Sequence, residues 1–289
     1  MVDHSGVIRR HELTFRECEL LAPLLPRTVS GRPRVEDRRV INGMVYKIRT
    51  GVSWRNRYGP WKSVSPASDA MPWTACSPGL SSKSRLTRKR PATSTGWCKS
   101  APPLSARTST LPPRVKRGQH RADEPDDHAL GRSREGLTTK IHLACDGRGL
   151  PLAILLTPGQ RHDRPCARPL LERIRVPRIS LGRPRCRPDQ VIADKAYSSR
   201  GFSAYLSQRG IACTIPDKND QQRHRHNRGR HGGRPPAFDR QIYRQRNVVE
   251  RCFNRLKGFR GIATRYDKTA TSYEAAINLA SLLLWARSV

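Results

Sequence analysis

The residues Gln241–Lys257 decide how the rest of this chain is interpreted, and they read QIYRQRNVVERCFNRLK. The stretch contains no Gly or Pro, and Val249, Phe253 and Leu256 recur at the spacing of one helical face. This pattern predicts a single amphipathic helix that packs on a core by its apolar face.

A polar row accompanies the apolar face of that stretch. Its members stand at i, i+3, i+7 and i+14, which are offsets that repeat on one side of an α-helix: Tyr243, Arg246, Glu250 and Lys257. Glu250 is a carboxylate among cations, which suits metal or phosphate chemistry. By residue type alone, a solvated basic helix with an i,i+4 pair between Arg246 and Glu250 is the simpler interpretation.

The composition indicates a polyanionic partner. The 289 residues suffice for one substantial domain and a small one, and their formal net charge is +33. Nucleic acid is therefore the first candidate partner, and an anionic membrane surface is the second.

Membrane insertion and secretion are not expected from the sequence. No apolar run approaches the ~20 residues that span a bilayer, and the first five residues lack the apolar core of a signal peptide. The eight cysteines are scattered without a Cys-x-x-Cys pair. This predicts reduced thiols in a cytosolic protein and makes a zinc site unexpected.

Two helices are expected near the start of the chain. Leucines at helical spacing fill Leu13–Leu25, and a second apolar face follows Asp37, which can cap a helix that ends at Thr50-Gly51. A basic turn at residues 31–34 joins them. The pair suits a helix-turn-helix-like DNA reader or, equally well by pattern, a small helical packing unit.

Strands are expected in the second half of the chain. Leu137–Cys145 and Pro151–Leu156 predict a β-hairpin, and the second strand is fully apolar and therefore expected to be central. Gln190–Ala193 predicts a short buried strand with Asp194 at its carboxyl end. A carboxylate there can hold an ion at the mouth of a sheet, or it can cap the helix that follows.

Three further polar segments suggest functional roles. Glu124–His128 suits a metal site, although a solvated turn is the simpler interpretation. His162 and Asp163 suit an assisting role at a site, but hydrogen bonds that fix their loop are the safer expectation. Lys218–Pro236 holds five Arg, three His and one Lys, which predicts a disordered loop that binds backbone phosphates rather than zinc.

The spacing of the polar row resembles the signature of the bacterial insertion-sequence DDE transposases: Tyr, two residues, Arg, three residues, Glu, six residues, Lys. The continuation Arg260–Lys268 is similar to the insertion-sequence five family in particular. Ala193–Tyr197, which reads Ala-Asp-Lys-Ala-Tyr, resembles the family's second catalytic motif. The resemblance covers residues 131–289 and, separately, about residues 13–64.

The resemblance implies an RNase-H-like mixed sheet flanked by helices, with three acidic ligands that hold two Mg²⁺ ions. Asp194 and Glu250 match two of these ligands. Arg246 and Lys257 are then expected to grip phosphate near the scissile bond, and Tyr243 to orient DNA or a ligand. The implied partners are double-stranded DNA, as terminal inverted repeats and as target, and further copies of the chain on that DNA. The implied location is the cytoplasm, in association with the nucleoid.

The middle of the chain departs from the family pattern. Ser65–Gln119 is rich in Ser, Pro, Thr, Arg and Lys without a sustained period, which predicts a basic, poorly structured segment. A shifted reading frame is another interpretation, because residues 94–110 then permit a sequence similar to the family's first catalytic strand. We hypothesise that two compensating insertions or deletions displaced the frame.

The shifted frame also excludes the first catalytic Asp. Its codon would straddle Ser100 and Ala101, and its middle base would be the G that begins every Ala codon. Asp requires A at that position, so restoring the frame would not restore the carboxylate.

Three regions are therefore expected: a helical DNA-binding region at residues 1–64, the basic segment at 65–120 and the catalytic domain at 121–289. The predicted function is an insertion-sequence transposase that binds element ends and catalyses metal-dependent DNA strand cleavage and transfer. Its activity is expected to be impaired because the first Asp is absent. The alternatives are a non-catalytic basic nucleic-acid-binding protein and a product that does not fold stably.

Overall fold

The computed structural model describes residues 11–22, 37–52, 97–100, 104–105, 128–133, 136–177, 182–267 and 269–288. The structure is mixed α/β, which confirms the class expected from the sequence. Contacts divide the chain into two compact units. The sheet unit comprises Ser77–Leu104 and Ala129–Asn254, and the helical unit comprises Met1–Cys76, Ser105–His128 and Arg255–Val289.

The domain boundaries expected at residues 64 and 120 remain a prediction. Both fall within residues 53–96 and 106–127, which lie outside the described residues. The basic turn at 31–34, on which the helix-turn-helix interpretation depends, also lies outside them.

Seven strands form one sheet in the part of the chain that is described: β1 Trp97–Ser100, β2 Leu104–Ser105, β3 Gly131–Ser133, β4 Gly136–Cys145, β5 Pro151–Pro158, β6 Gln190–Ala193 and β7 Ala212–Thr214. They belong to the sheet unit, except that the last residue of β2, Ser105, falls in the other unit. Their order is β2-β4-β1-β6-β7, and β3 and β5 also pair with β4. Strand β1 runs antiparallel to β4 and parallel to β6, and β6 runs parallel to β7. The carboxyl ends of β1, β6 and β7 therefore point the same way.

Five helices within the described residues accompany these strands: α3 Ala167–Glu172, α4 Arg200–Gln208, α5 Asn219–Asn227, α6 Arg240–Arg244 and α7 Asn247–Lys257. The last of them crosses the division between the units. Helix α3 packs on β4 and β5, and α4 packs on β7. The apolar face predicted for α7 is confirmed, because Val249 and Phe253 are buried. Burial of such side chains is the main stabilising contribution of these elements.

Strand β5 is not central, contrary to the expectation from its apolar sequence. Among the described strands it pairs only with β4. Helix α3 packs on it instead, and Leu170 and Leu171 of that helix are almost completely buried. Arg173 Nη1 also donates a hydrogen bond of 2.6 Å to the carbonyl of Ile154. An apolar strand therefore needs covered faces, but it does not need a neighbour at each edge.

The described residues of the middle segment form strands, and the rest of that segment lies outside the described residues. Within the span expected to be poorly structured, Trp97–Ser100 and Leu104–Ser105 form β1 and β2. Strand β1 lies between β4 and β6, with Cys98 opposite Ala144 on one side and Ala193 on the other. Backbone pairing on both edges explains how a sequence with little periodicity forms a strand there.

The helical unit joins the start of the chain to its end. Its described helices are α1 Phe15–Leu21, α2 Asp37–Thr50, α8 Arg260–Thr264 and α9 Ala270–Ala286. Helix α2 ends at Thr50 as predicted, and Asp37, expected to cap the helix, is its first residue. Gly51 follows the helix with φ +66°, the left-handed conformation that glycine adopts readily at a helix end. Helix α9 contacts α1, α2 and α8. The helical packing interpretation of the first two helices therefore has direct support.

Polar contacts reinforce this helical packing. Arg287 Nε donates to Glu17 Oε1 at 2.8 Å, which ties α1 to the end of α9, and Lys47 Nζ donates to Asp267 Oδ1 at 2.6 Å. Glu17 is buried, and although burial opposes its ionisation, hydrogen bonds from Arg287 and Thr14 leave the pKa of its carboxyl below the usual value. The pairs link residues that are distant in the sequence.

The segment Lys218–Pro236 is partly helical, so the prediction of a disordered loop is wrong. It contains α5 and a 3₁₀ turn at Gly229–Gly232. Neither element has a buried residue, and polar anchors hold the segment instead. Gln221 accepts a hydrogen bond of 2.7 Å from Ser198 Oγ, and Arg225 pairs with Asp217 at 2.8 Å. A hydrophobicity pattern does not detect anchoring of this kind.

None of the helices in the described ranges combines the length and apolar composition needed to cross a membrane.

Candidate functional site

Asp194 stands directly after β6, at the carboxyl end of a buried strand. Val191, Ile192 and Ala193 are fully buried, so the strand fixes the backbone from which the carboxylate projects. Asp194 also has extended backbone and accepts a hydrogen bond of 2.7 Å from the amide of Lys195, at the start of a 3₁₀ turn at Lys195–Tyr197. The strand-end position and the cap, considered as alternatives from the sequence, are both present.

Arg246 and Tyr243 approach this carboxylate. Arg246 Nη1 lies 3.9 Å from Asp194 Oδ1, and each side chain is a little over one quarter exposed, at 28% and 27%. The Arg246 guanidinium lies 5.4 Å from the centre of the Tyr243 ring. Burial raises the pKa of Tyr243, with Arg246 opposing this effect and Asp194 adding to it. Three of the predicted site residues are therefore together.

One oxygen of Asp194 remains available. The hydrogen bond from Lys195 and the contact with Arg246 both involve Oδ1. Within the ranges that the structure describes, Oδ2 accepts no hydrogen bond. A partly exposed carboxylate oxygen at the end of a strand is a suitable ligand for a hard cation such as Mg²⁺.

The predicted single helix is two helices, which corrects the prediction for Gln241–Lys257. Helix α6 ends at Arg244, and α7 begins at Asn247. Between them, the amide of Arg246 bonds to the carbonyl of Tyr243, and the amide of Val249 bonds to the carbonyl of Arg246, so the chain turns with i to i−3 bonds. Asn and the β-branched Val are weak helix formers, which fits a break at this point.

Tyr243 and Glu250 are therefore on different helices. Tyr243 belongs to α6, where its ring lies 5.1 Å from that of Phe238. Glu250 belongs to the first turn of α7 and is half-buried. A negative side chain in the first turn of a helix is favoured by the helix dipole.

Lys257 lies further from the cluster along α7. It is in the last turn of that helix, seven residues after Glu250, which is about 10 Å along a helix axis. The structure thus groups Asp194, Arg246 and Tyr243, places Glu250 at the start of α7, and puts Lys257 at the other end of that helix.

Two carboxylates, those of Asp194 and Glu250, are expected to bind metal. No group of three or more His, Cys, Asp or Glu side chains with metal-binding geometry exists among the described residues. This covers the three histidines of Lys218–Pro236, all of which are exposed. Residues 124–127 of the acidic cluster lie outside the described part. One or two carboxylates together with substrate phosphates are a common set of ligands for Mg²⁺, so Asp194 and Glu250 are of the chemical type that this metal binds.

A buried hydrogen-bond chain lies beside the 3₁₀ turn Lys195–Tyr197, named here the Asp194 turn after the residue that caps it, and the sequence did not predict this chain. His142 in β4 is fully buried, and its Nδ1 and Nε2 each lie 2.8 Å from a hydroxyl, those of Tyr197 and Thr157 respectively. Burial lowers the pKa of His142 to about 4, so the imidazole is neutral. Because Tyr197 ends the 3₁₀ turn that Asp194 caps, this chain ties the turn to the sheet. The signal available in the sequence was His142 itself, a polar residue at an inward position of a predicted strand.

Hydrogen bonds fix the loop after β5, as expected from the alternative to an assisting role for His162 and Asp163. Lys140 Nζ donates to Asp163 Oδ1 at 3.0 Å and to the carbonyl of Arg161 at 2.8 Å. Asp163 is thus engaged in holding its own loop, and His162 is exposed.

Two family models match this chain. Residues 69–285 match a family described as "Transposase DDE domain", so the match covers most of the chain and begins within the middle segment. Residues 13–83 match a family described as "Putative transposase of IS4/5 family".

Two curated proteins are similar to the chain. One, from Brucella ovis, is named "Putative transposase for insertion sequence element IS6501"; it is 32% identical over 151 residues, which are 52% of this chain and 100% of that protein. The other, from Burkholderia cepacia, is named "Putative transposase for insertion sequence element IS402". It is 31% identical over 153 residues, which are 53% of this chain and 64% of that protein. No solved structure matches the chain.

Proposed function

The chain belongs to the family of transposases with a DDE domain, and on that premise we propose that it binds the ends of an insertion sequence but is impaired in cleaving them. The carrying observation is the meeting of Asp194, Arg246 and Tyr243 at the carboxyl end of β6. A carboxylate with an available oxygen beside a guanidinium suits a metal ion and a phosphodiester bound together.

The proposed roles follow from chemical type and position. Asp194 and Glu250 would hold Mg²⁺, which when bound polarises phosphate oxygens and activates the attacking hydroxyl or water. Arg246, half-buried beside Asp194, would grip a phosphate close to the ion, and Tyr243 would orient the DNA through its ring and hydroxyl. Lys257, at the far end of α7, would contact a phosphate further along the strand.

The sheet supports an RNase-H-like interpretation. A hairpin of β4 and β5 continues through β1 to the parallel strands β6 and β7, and helices accompany the sheet. Helices α1 and α2 would supply the DNA-binding region, and the net charge of +33 suits a duplex and an oligomer assembled on it.

The proposed impairment rests on β1. This strand is parallel to β6, and Cys98 pairs with Ala193, so the following residue, Lys99, corresponds to Asp194. From Trp97 to Ser105 the chain contains no acidic residue. A third carboxylate from this strand is therefore missing, which would weaken metal binding and misplace the nucleophile. A non-catalytic DNA-binding protein is the second candidate function, and the same observation favours it.

The experiment is to sequence the locus and its flanks. Inverted repeats that bracket the gene, with a shifted frame under residues 65–119 that encodes family-like sequence, would support a damaged insertion-sequence transposase. Flanks without repeats and a neighbouring frame full of stop codons would contradict it. In that case the segment belongs to the protein as written, and the non-catalytic binding function is the better one.

A further inference from the structure

We propose that the segment Asn219–Gly232, named here the basic arm, is a docking surface for the phosphate backbone of duplex DNA, held in place beside the Asp194 turn. The proposal rests on the proposed function, because it identifies which surface of the sheet unit carries the DNA. The basic arm consists of α5 and the 3₁₀ turn that follows it.

The basic arm has no role in the protein core. Neither of its two elements buries a side chain. A helix of nine residues is too short to be stable on its own propensity, and His, Asn and Asp are weak helix formers. Its stability must therefore come from specific anchors.

The anchors occupy one side of α5. Gln221 accepts a hydrogen bond of 2.7 Å from Ser198 Oγ, and its Nε2 donates to the Ser198 carbonyl at 3.3 Å. Arg225, one helical turn later, pairs with Asp217 at 2.8 Å, and both side chains are largely covered. Residues four apart lie on the same face of a helix, so Gln221 and Arg225 turn one face of α5 toward other residues of the protein.

The remaining cations of the basic arm project into solvent. Arg223, Arg228 and Arg230 are exposed, and none of them forms an ion pair with any residue that the structure describes. Three unpaired guanidinium groups of one sign repel one another, and a polyanion relieves that repulsion. Guanidinium groups also match the geometry of phosphate oxygens.

The position of the anchor connects the basic arm to the candidate site. Ser198 caps the end of the same 3₁₀ turn that Asp194 begins, so the hydrogen bonds of Gln221 attach α5 to that turn. DNA that lies along the three arginines therefore runs next to the candidate cleavage site. Phosphate contacts of this kind position a duplex and carry no sequence information.

The test compares two variants of equal charge in the full-length protein. The first replaces Arg223, Arg228 and Arg230 with Gln. The control replaces three exposed arginines from separate segments of the sheet unit, none of which has a carboxylate partner in the described ranges: Arg148, Arg164 and Arg183. Binding to a short duplex of arbitrary sequence is measured by fluorescence anisotropy as salt is varied, and thermal melting verifies that both variants fold.

In the first variant, the slope of log K against log salt is expected to become less steep by about 2.7. Each of the three phosphates that is no longer neutralised contributes about 0.9 to this change. Between about 50 and 200 mM salt, its affinity should then fall about 40-fold less than that of the wild-type protein. The control should keep the wild-type slope. Equal slopes in both variants, or a wild-type slope in the first, would overturn the proposal.

The two proposals fail in different ways. A wild-type protein that does not bind duplex DNA contradicts the proposed function and the basic arm together. A wild-type protein that binds with a steep salt dependence, unchanged in the Arg223, Arg228 and Arg230 variant, contradicts the basic arm alone.

Discussion

Arg246 Nη1 lies 3.9 Å from Asp194 Oδ1, which brings the residue before α7 to the carboxyl end of β6. The distance is at the limit of an ion pair, and both side chains are about one quarter exposed. Such a pair contributes about 0–1 kcal/mol to stability. Its importance therefore lies in placing a cation beside a carboxylate rather than in holding the fold.

The change Arg246→Gln should separate binding from stability. The melting temperature is expected to stay near the wild-type value, because the pair is solvent-screened, while the affinity for duplex DNA falls because the guanidinium no longer holds a phosphate. Arg244→Gln is the matched control, since Arg244 is exposed at the end of α6. A large loss of stability in the Arg246 variant, or equal DNA affinity in the two variants, would count against this role.

Metal binding should depend on both proposed ligands. Titration with Mn²⁺, a spectroscopic substitute for Mg²⁺, is expected to show at least about tenfold weaker binding for Asp194→Asn and for Glu250→Gln. Asp220→Asn serves as the control because it removes an exposed charge from α5. Identical affinities in all three variants would mean that these carboxylates do not hold the ion.

The buried His142 should make the protein less stable in acid. Burial lowers the pKa of His142 to about 4, whereas an unfolded histidine has a pKa near 6.5. Unfolding therefore takes up a proton between these values, and stability is lost as the pH falls through this window. The expected loss is about 2 kcal/mol at pH 5, relative to pH 7.5.

Urea unfolding at the two pH values measures this effect. The His142→Gln variant should show a smaller acid-dependent loss, whereas His162→Gln, which removes an exposed imidazole, should behave as the wild-type protein. If His142→Gln does not fold, the wild-type imidazole can be followed by NMR. A titration of His142 near pH 6.5 would refute its burial as a neutral side chain.

The anchor of the basic arm should protect it from proteolysis. Gln221→Ala removes the hydrogen bonds to Ser198, so α5 is expected to open more often and trypsin to cleave faster after Arg223, Arg228 and Arg230. Gln222→Ala is the control, because Gln222 is the exposed neighbour. Equal cleavage rates in the two variants would show that this hydrogen-bonded anchor does not hold the arm.

Hydrophobic patterns predicted the elements with a clear apolar face. The bounds of α2, the hairpin of β4 and β5, and the short strand before Asp194 agree with the sequence-based expectation. These elements form because alternation or helical spacing selects one buried face. The same reasoning misplaced β5, because burial by α3 and burial between two strands give the same apolar sequence.

The polar parts of the structure were less predictable. The anchors of α5 and the chain through His142 depend on pairs of residues that meet only after folding, such as Gln221 with Ser198. The break between α6 and α7 needs only a small local preference against helix. The helical spacing of the apolar residues continues across the break and therefore does not predict it. The meeting of Asp194 with Arg246 was expected only through the family resemblance, since spacing alone also describes a solvated basic helix.

We propose that this transposase binds DNA but lacks the third carboxylate that efficient cleavage needs. The most direct measurement is Mg²⁺-dependent cleavage of a duplex that carries the element's own ends, with the full chain and with Asp194→Ala. We predict binding without cleavage products in both cases. Cleavage by the wild-type chain that disappears in Asp194→Ala would contradict the claim, because the site would then be complete without an acid from β1.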